Sequence, residues 1–147
     1  MNISSKPLLY TPEWVISFEK AAAGELFLAE NSGEVIRQYR KRYDMSQEEL
    51  GELMGLRRES ILRIEKGSVT PTLDFVKKFI KAASLIEMIR VNRAQHKEID
   101  VHFLENLAKE FGFDREKLPF IIKMAVESYD KKLMRIKRSL KENKYGK

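Results

Sequence analysis

The chain has 147 residues, 43% of them hydrophobic and 34% charged, enough for one domain with appendages, a sizeable core and a well-solvated surface. It has no cysteine, which excludes disulfides and thiolate metal sites and fits a reducing cytoplasm, and no apolar run of the ~18 residues that a membrane span needs. The net charge of +6 is uneven: residues 1–33 carry 2 basic and 4 acidic groups, residues 34–90 carry 12 and 9, and residues 91–147 carry 14 and 9, a distribution suited to a polyanionic partner.

Residues 1–10 show no periodicity and are expected to form a mobile arm or an extended strap, without the basic region and apolar core of a secretion signal. Thr11-Pro12 reads as a helix start, with threonine as cap and proline in the first turn. Trp14, Val15, Phe18 and Ala22 then share one apolar face, and Gly24 is placed at the end of that helix. This face is read as packing on the domain that follows rather than lining a ligand pocket around Trp14 and Phe18. Leu26-Phe27-Leu28 reads as a strand-like tether or as further helix, and Asn31-Ser-Gly33 as a turn.

Glu34 to Tyr43 reads as a helix with Val35, Ile36 and Tyr39 inward. Ser46 followed three residues later by Glu49 is a capping box, so a helix is expected from Gln47, with Leu50 and Met54 on its buried face. Gly55 stands where that helix must stop, and Gly51 faces inward where two helices would approach most closely. A further helix is expected from about Arg58, burying Ile61 and Ile64 and closed by Gly67. Two short helices joined by a tight turn are the anatomy of a helix-turn-helix, in which the second helix enters a DNA groove.

Thr70-Pro71-Thr72 opens the next helix, whose stripe is Leu73, Val76, Phe79, Ile80, Ala83, Ile86 and Ile89, with a bend expected near Ala83-Ser84. Glu98 to Phe111 is expected to bury Val101, Leu104, Leu107, Ala108 and Phe111 and to end at Gly112. Asp114 caps a short turn and Pro119 begins a last helix. There Ile122, Val126, Tyr129, Leu133, Ile136 and Leu140 recur at steps averaging 3.5 residues, a heptad seam that either joins two copies of the chain or packs within one. Lys131 to Lys147 holds 8 basic groups and 1 acidic group.

Gln47, Leu50, Gly51, Gly55, Leu56, Ile61, Ile64, Glu65 and Gly67 fall in the pattern of the Cro/repressor helix-turn-helix family, also called XRE-type, which the chain resembles from about Gly33 to Ser84. The leader from Ala23 to Gly33 is similar, more weakly, to that of archaeal regulators of the family. Gly51 departs from the family's alanine, which should loosen its helix by ~1 kcal/mol. Leu53 and Leu62 stand where polar residues are usual and suggest extra partners for the outer faces. The resemblance implies an all-α fold with a five-helix DNA-binding domain over residues 34–90, and the helical patterns on either side add an N-terminal helical extension over 1–33 and a C-terminal helical region over 91–147, expected to serve for dimerisation through the heptad seam. It also implies that Arg40 pairs with Glu65, the glutamate ending the recognition helix.

By position in the motif, Arg57, Arg58, Glu59 and Arg63 face the groove. Arginine can make two hydrogen bonds to guanine and glutamate can accept one from cytosine N4, so half-sites containing G·C are expected. Gln47, Arg42, Ser60, Lys66, Ser68 and Thr70 are placed against phosphates, and Leu62 either meets a thymine methyl or packs in the core. Catalysis is a poor fit, since His96 and His102 are six apart rather than at the i, i+4 spacing of a two-histidine metal site, and Asp100 alone does not complete one. Neither a cofactor nor a small-molecule effector is implied. The expected partners are double-stranded DNA and a second copy of the chain. The rival is a coactivator or antitoxin-like interaction module built on the same fold; the bridging factors among these usually carry a cysteine zinc ribbon, which this chain lacks.

Overall fold

Helix punctuation in the sequence accounts for most of the architecture in a computed structural model that describes residues 11–145. These residues form α1 (Glu13–Leu28), α2 (Ser32–Arg42), α3 (Gln47–Met54), α4 (Arg58–Lys66), α5 (Leu73–Ala94), α6 (Val101–Glu110), a single 3-10 turn at Arg115–Lys117, and α7 (Leu118–Tyr145). The expected arm over residues 1–10 lies outside the described residues.

Side-chain caps start the helices where the chain must turn. The Asn31 side chain accepts from the amides of Gly33 (3.0 Å) and Glu34 (3.4 Å) ahead of α2, Thr72 Oγ1 accepts from the Phe75 amide (3.0 Å) ahead of α5, and Asp100 Oδ1 accepts from the Phe103 amide (3.0 Å) ahead of α6. The expected cap at Thr11 does not form, because Pro12 takes the N-cap position of α1 with its carbonyl accepting from the Val15 amide at 3.0 Å. Gly24 does not stop α1: the helix runs on to Leu28, because Leu26 continues the Val15–Ala22 face into the core. Leu26-Phe27-Leu28 is therefore helix, and Phe27 and Leu28 are left exposed.

α5 is the central spoke, and α1, α3 and α7 all pack against it. Ala82 to Ile86 are buried without interruption, so Ala83-Ser84 lies within one continuous helix surrounded on every side. Ile36, Leu50, Leu53, Ile61, Leu85, Ile86, Ile89, Leu104, Leu107 and Ile121 are essentially inaccessible, each worth roughly 1.5–3 kcal/mol of burial. Leu53, expected on an outer face, is inside with Tyr43, Leu50 and Phe79, because the middle of α5, Phe79 to Ile86, packs over that side of α3.

Polar ties run between the layers. Ser84 donates to Glu19 at 2.9 Å and Lys81 pairs with the same carboxylate at 3.2 Å, joining α1 to α5. Tyr39 donates to Glu25, and Tyr43 donates to Glu87 at 2.6 Å. Burial, then the neighbouring Glu25 carboxylate, pushes the Tyr39 hydroxyl up to about 12, and burial with Glu87 pushes that of Tyr43 higher still, so both remain neutral donors.

α7 presents a different buried face from the heptad seam. Leu118, Ile121, Met124, Ala125 and Ser128 point into the core, and Arg90 donates to Ser128 at 2.7 Å. Ile122 and Val126 lie half-buried along the core's edge, Tyr129 and Leu133 are partly covered, and Ile136 and Leu140 are 47% and 63% exposed. The seam is thus intramolecular at its start and uncovered at its end. No helix among the described residues is long and apolar enough to cross a membrane.

Candidate nucleic-acid interface

The capping box ahead of α3 forms in both directions: Ser46 Oγ accepts from the Glu49 amide at 3.0 Å and Glu49 Oε1 accepts from the Ser46 amide at 2.9 Å. At the other end Gly55 adopts φ +73°, a left-handed conformation that turns the chain within three residues into α4 at a cost only glycine avoids. Gly51 is buried, and its nearest neighbour is the turn rather than α4; a Cβ there would stand 2.6 Å from the Leu56 carbonyl oxygen. The departure from alanine therefore makes room for this tight turn as well as weakening the helix.

α4 points Ile61, Ile64 and Glu65 inward and leaves Arg58, Glu59, Arg63 and Lys66 exposed, with Arg57 exposed at the N-cap. Leu62 is half-buried beside them. The inward carboxylate is the hub of the site. Arg40 Nε donates to Glu65 Oε2 at 2.6 Å and its Nη2 to Oε1 at 3.0 Å, while Gln47 Nε2 donates to Oε1 at 3.1 Å. The third arginine nitrogen donates to the Met45 carbonyl at 2.7 Å. With the Glu65 side chain 3% exposed, this fork joins α2, the α2–α3 corner, α3 and α4 in one charge-assisted network.

Gly33 supplies a second lock that sequence reasoning read only as part of a turn. It sits in the first turn of α2, directly under the end of α4, where a Cβ would stand 1.9 Å from the Ile64 carbonyl oxygen. The sole sequence signal is a glycine placed just inside a capped helix start.

Ser68 and Thr70 are exposed in the loop leaving α4, and Ser60 is half-buried on its first turn. Gln47 lies at the start of α3 with its amide nitrogen held on Glu65. Arg42 is set apart: two residues beyond Arg40 on α2, it faces away from α4 and lies 4.5 Å over the Tyr39 ring. Beside α4 lies a groove of about 490 Å³ that no local sequence signal announces, lined by Leu56, Ile64, Val69, Pro71 and Phe75, with Leu56 and Val69 exposed.

Two short helices joined through a glycine turn, the second offering a charged outer face on a locked base, define a helix-turn-helix protein. A helix-turn-helix family model matches residues 36–83. An uncharacterized HTH-type transcriptional regulator of Bacillus subtilis is 40% identical over 50 residues, which cover 34% of this chain and 76% of the relative. Two uncharacterized HTH-type transcriptional regulators of Archaeoglobus fulgidus are 36% identical over 72 residues (49% of this chain, 31% of the relative) and 50% identical over 38 residues (26% and 54%). The chain belongs to the Cro/repressor-like (XRE-type) helix-turn-helix family. It spans about a third and about half of the lengths of the two archaeal relatives. No solved structure matches it.

Proposed function

We propose that the chain binds double-stranded DNA sequence-specifically as a homodimer and regulates transcription by doing so. α4 enters the major groove, Arg57, Arg58, Glu59 and Arg63 read base edges, and Gln47, Ser60, Lys66, Ser68 and Thr70 hold phosphates. The observation that carries this reading is the exposed charged face of α4, held on its buried side by the Arg40–Glu65 fork. Readout needs such rigidity, since a base contact misplaced by an ångström is no longer a hydrogen bond. Arg42 joins only as a flanking phosphate contact, given its place over Tyr39.

The homodimer uses the uncovered end of the α7 seam, Leu133, Ile136 and Leu140, with Ile122, Val126 and Tyr129 continuing it along each protomer's own core. Two-fold pairing then sets half-sites about one helical turn apart, ~34–36 Å. The groove beside α4 favours the rival reading, a protein-interaction module, since an apolar cleft with Leu56 and Val69 at its mouth suits a partner's side chain.

Equilibrium binding to duplex DNA decides between them. Affinity is expected to fall steeply with salt through counterion release. The double substitution Ile136→Glu with Leu140→Glu is expected to sediment as a folded monomer and to lose on the order of 100-fold in affinity for a two-half-site duplex. Salt-insensitive binding, or none at low salt, favours the protein partner instead; a dimer that survives both substitutions places the contact elsewhere.

A further inference from the structure

We infer that the outer face of α7, through Arg135 and Arg138, grips the DNA backbone on the spacer side of the base pairs that α4 reads. This rests on the DNA-binding reading above and extends it to a part of the chain outside the helix-turn-helix.

Two lysines fix the course of α7 past α3. Lys117, one residue ahead of α7, donates to the Glu52 carbonyl near the end of α3. Lys131 pairs at 3.5 Å with Asp44, two residues before the Ser46 cap at the start of α3. α7 therefore passes α3 in the opposite sense, and residues 132–145 continue past the N-terminus of α3 for roughly 20 Å at 1.5 Å per residue. In a helix-turn-helix docked through α4, α3 crosses the DNA backbone, and its N-terminus carries the positive end of the helix dipole that favours a phosphate. The continuation of α7 consequently lies over neighbouring backbone, and in a dimer joined along the same stretch that backbone is the spacer between the half-sites.

The face it turns there is specified by the same contact. Lys131, Arg135 and Arg138 follow at i, i+4 and i+7 and stack on one side of the helix, the side on which Lys131 meets Asp44. All three are exposed, and no ion pair among the described residues involves Arg135 or Arg138. Leu133, Ile136 and Leu140 occupy the opposite side, so a dimer seam and a phosphate grip do not compete for the same surface. The surrounding segment carries 8 basic groups against 1 acidic, so the helix's own end offers the two arginines few carboxylates to pair with. Lys131 is engaged with Asp44 at 3.5 Å, and the two arginines, which have no such partner among the described residues, are the fork-shaped phosphate donors.

The test uses the full chain carrying Arg135→Gln and Arg138→Gln, substitutions on an exposed face that leave the core untouched. Binding is measured against salt on two mixed-sequence duplexes, a long one of about two helical turns that spans both half-sites and a short one of about one turn that holds a single half-site without the spacer. On the long duplex the slope of log affinity against log salt is expected to shrink by about 2 per protomer, near 0.9 for each lost phosphate contact. On the short duplex wild type and variant should bind alike, with the same sedimentation coefficient. An unchanged slope on the long duplex overturns the grip while leaving DNA binding intact, as does an equal loss on both duplexes or a change in oligomeric state. Failure of the wild-type chain to bind either duplex at low salt overturns the DNA-binding reading itself and the grip with it.

Discussion

Arg40→Ala is expected to lower the stability of the fold by about 3–5 kcal/mol, the usual consequence of stripping one partner from a buried charge pair. The alanine removes both bonds to Glu65, at 2.6 and 3.0 Å, and the bond to the Met45 carbonyl at 2.7 Å. Gln47 alone then remains on a carboxylate that is 3% exposed. A neutral amide at 3.1 Å does not compensate a buried anion, so Glu65 must either take up a proton or pull α4 open to water. Melting followed by circular dichroism should drop by roughly 10–15 °C, given the size of the chain. Arg40→Lys keeps the charge but not the fork and should lie between the two. An unchanged melting temperature for Arg40→Ala would mean that the fork does not hold α4 in solution.

Gly33→Ala should be nearly as costly, although alanine is the better helix former at a helical position by about 1 kcal/mol. The new Cβ would stand 1.9 Å from the Ile64 carbonyl oxygen, 2.9 Å from its carbon and 3.0 Å from Glu65 Cα. All three atoms are backbone of α4, so no side chain can swing aside. The helix itself must move, against the fork one residue away on Glu65. Overpacking of this kind is expected to cost about 3 kcal/mol and to displace the charged face of α4. Gly24→Ala supplies the contrast, since nothing lies within 4 Å of its Cβ and it sits inside α1. There the same substitution should stabilise by about 0.5–1 kcal/mol. If both glycine variants melted alike, the close approach of α2 to α4 would be wrong.

The contrast between those glycines also explains what could be read from the sequence. α3, its turn and α4 were legible because their signals are local: the Ser46–Glu49 box, Gly55 and the Ile61–Ile64 spacing each act within a few residues. The Arg40–Glu65 pair came only through the family resemblance, because no local rule links residues 25 apart. Gly24 and Gly33 look alike in sequence, yet one is an open helix position and the other a contact with a distant carbonyl. Leu53 reads as an outer-face residue because polar side chains are usual at its place in the family pattern, yet Phe79, Ala82, Ala83 and Ile86 of α5 close over it. The α7 stripe was traced at the right spacing, but its neighbours Ile121, Ala125 and Ser128 take the core, a choice made by the face α5 offers rather than by periodicity. The candidate readout residues needed only their exposure on α4, whereas the set-apart position of Arg42 depends on how Tyr39 packs between α1 and α5.

Selection of preferred duplexes from a random pool, carried out for the wild-type chain, Arg58→Ala and Glu59→Ala, shows whether α4 reads bases. The expected result is a two-fold symmetric wild-type site containing G·C pairs, and in each variant a loss of preference at one or two base pairs worth about 1–3 kcal/mol, with the rest of the site retained. Recovery of the same preferred sequence by all three proteins, or of no preferred sequence by the wild type, would contradict base reading by α4.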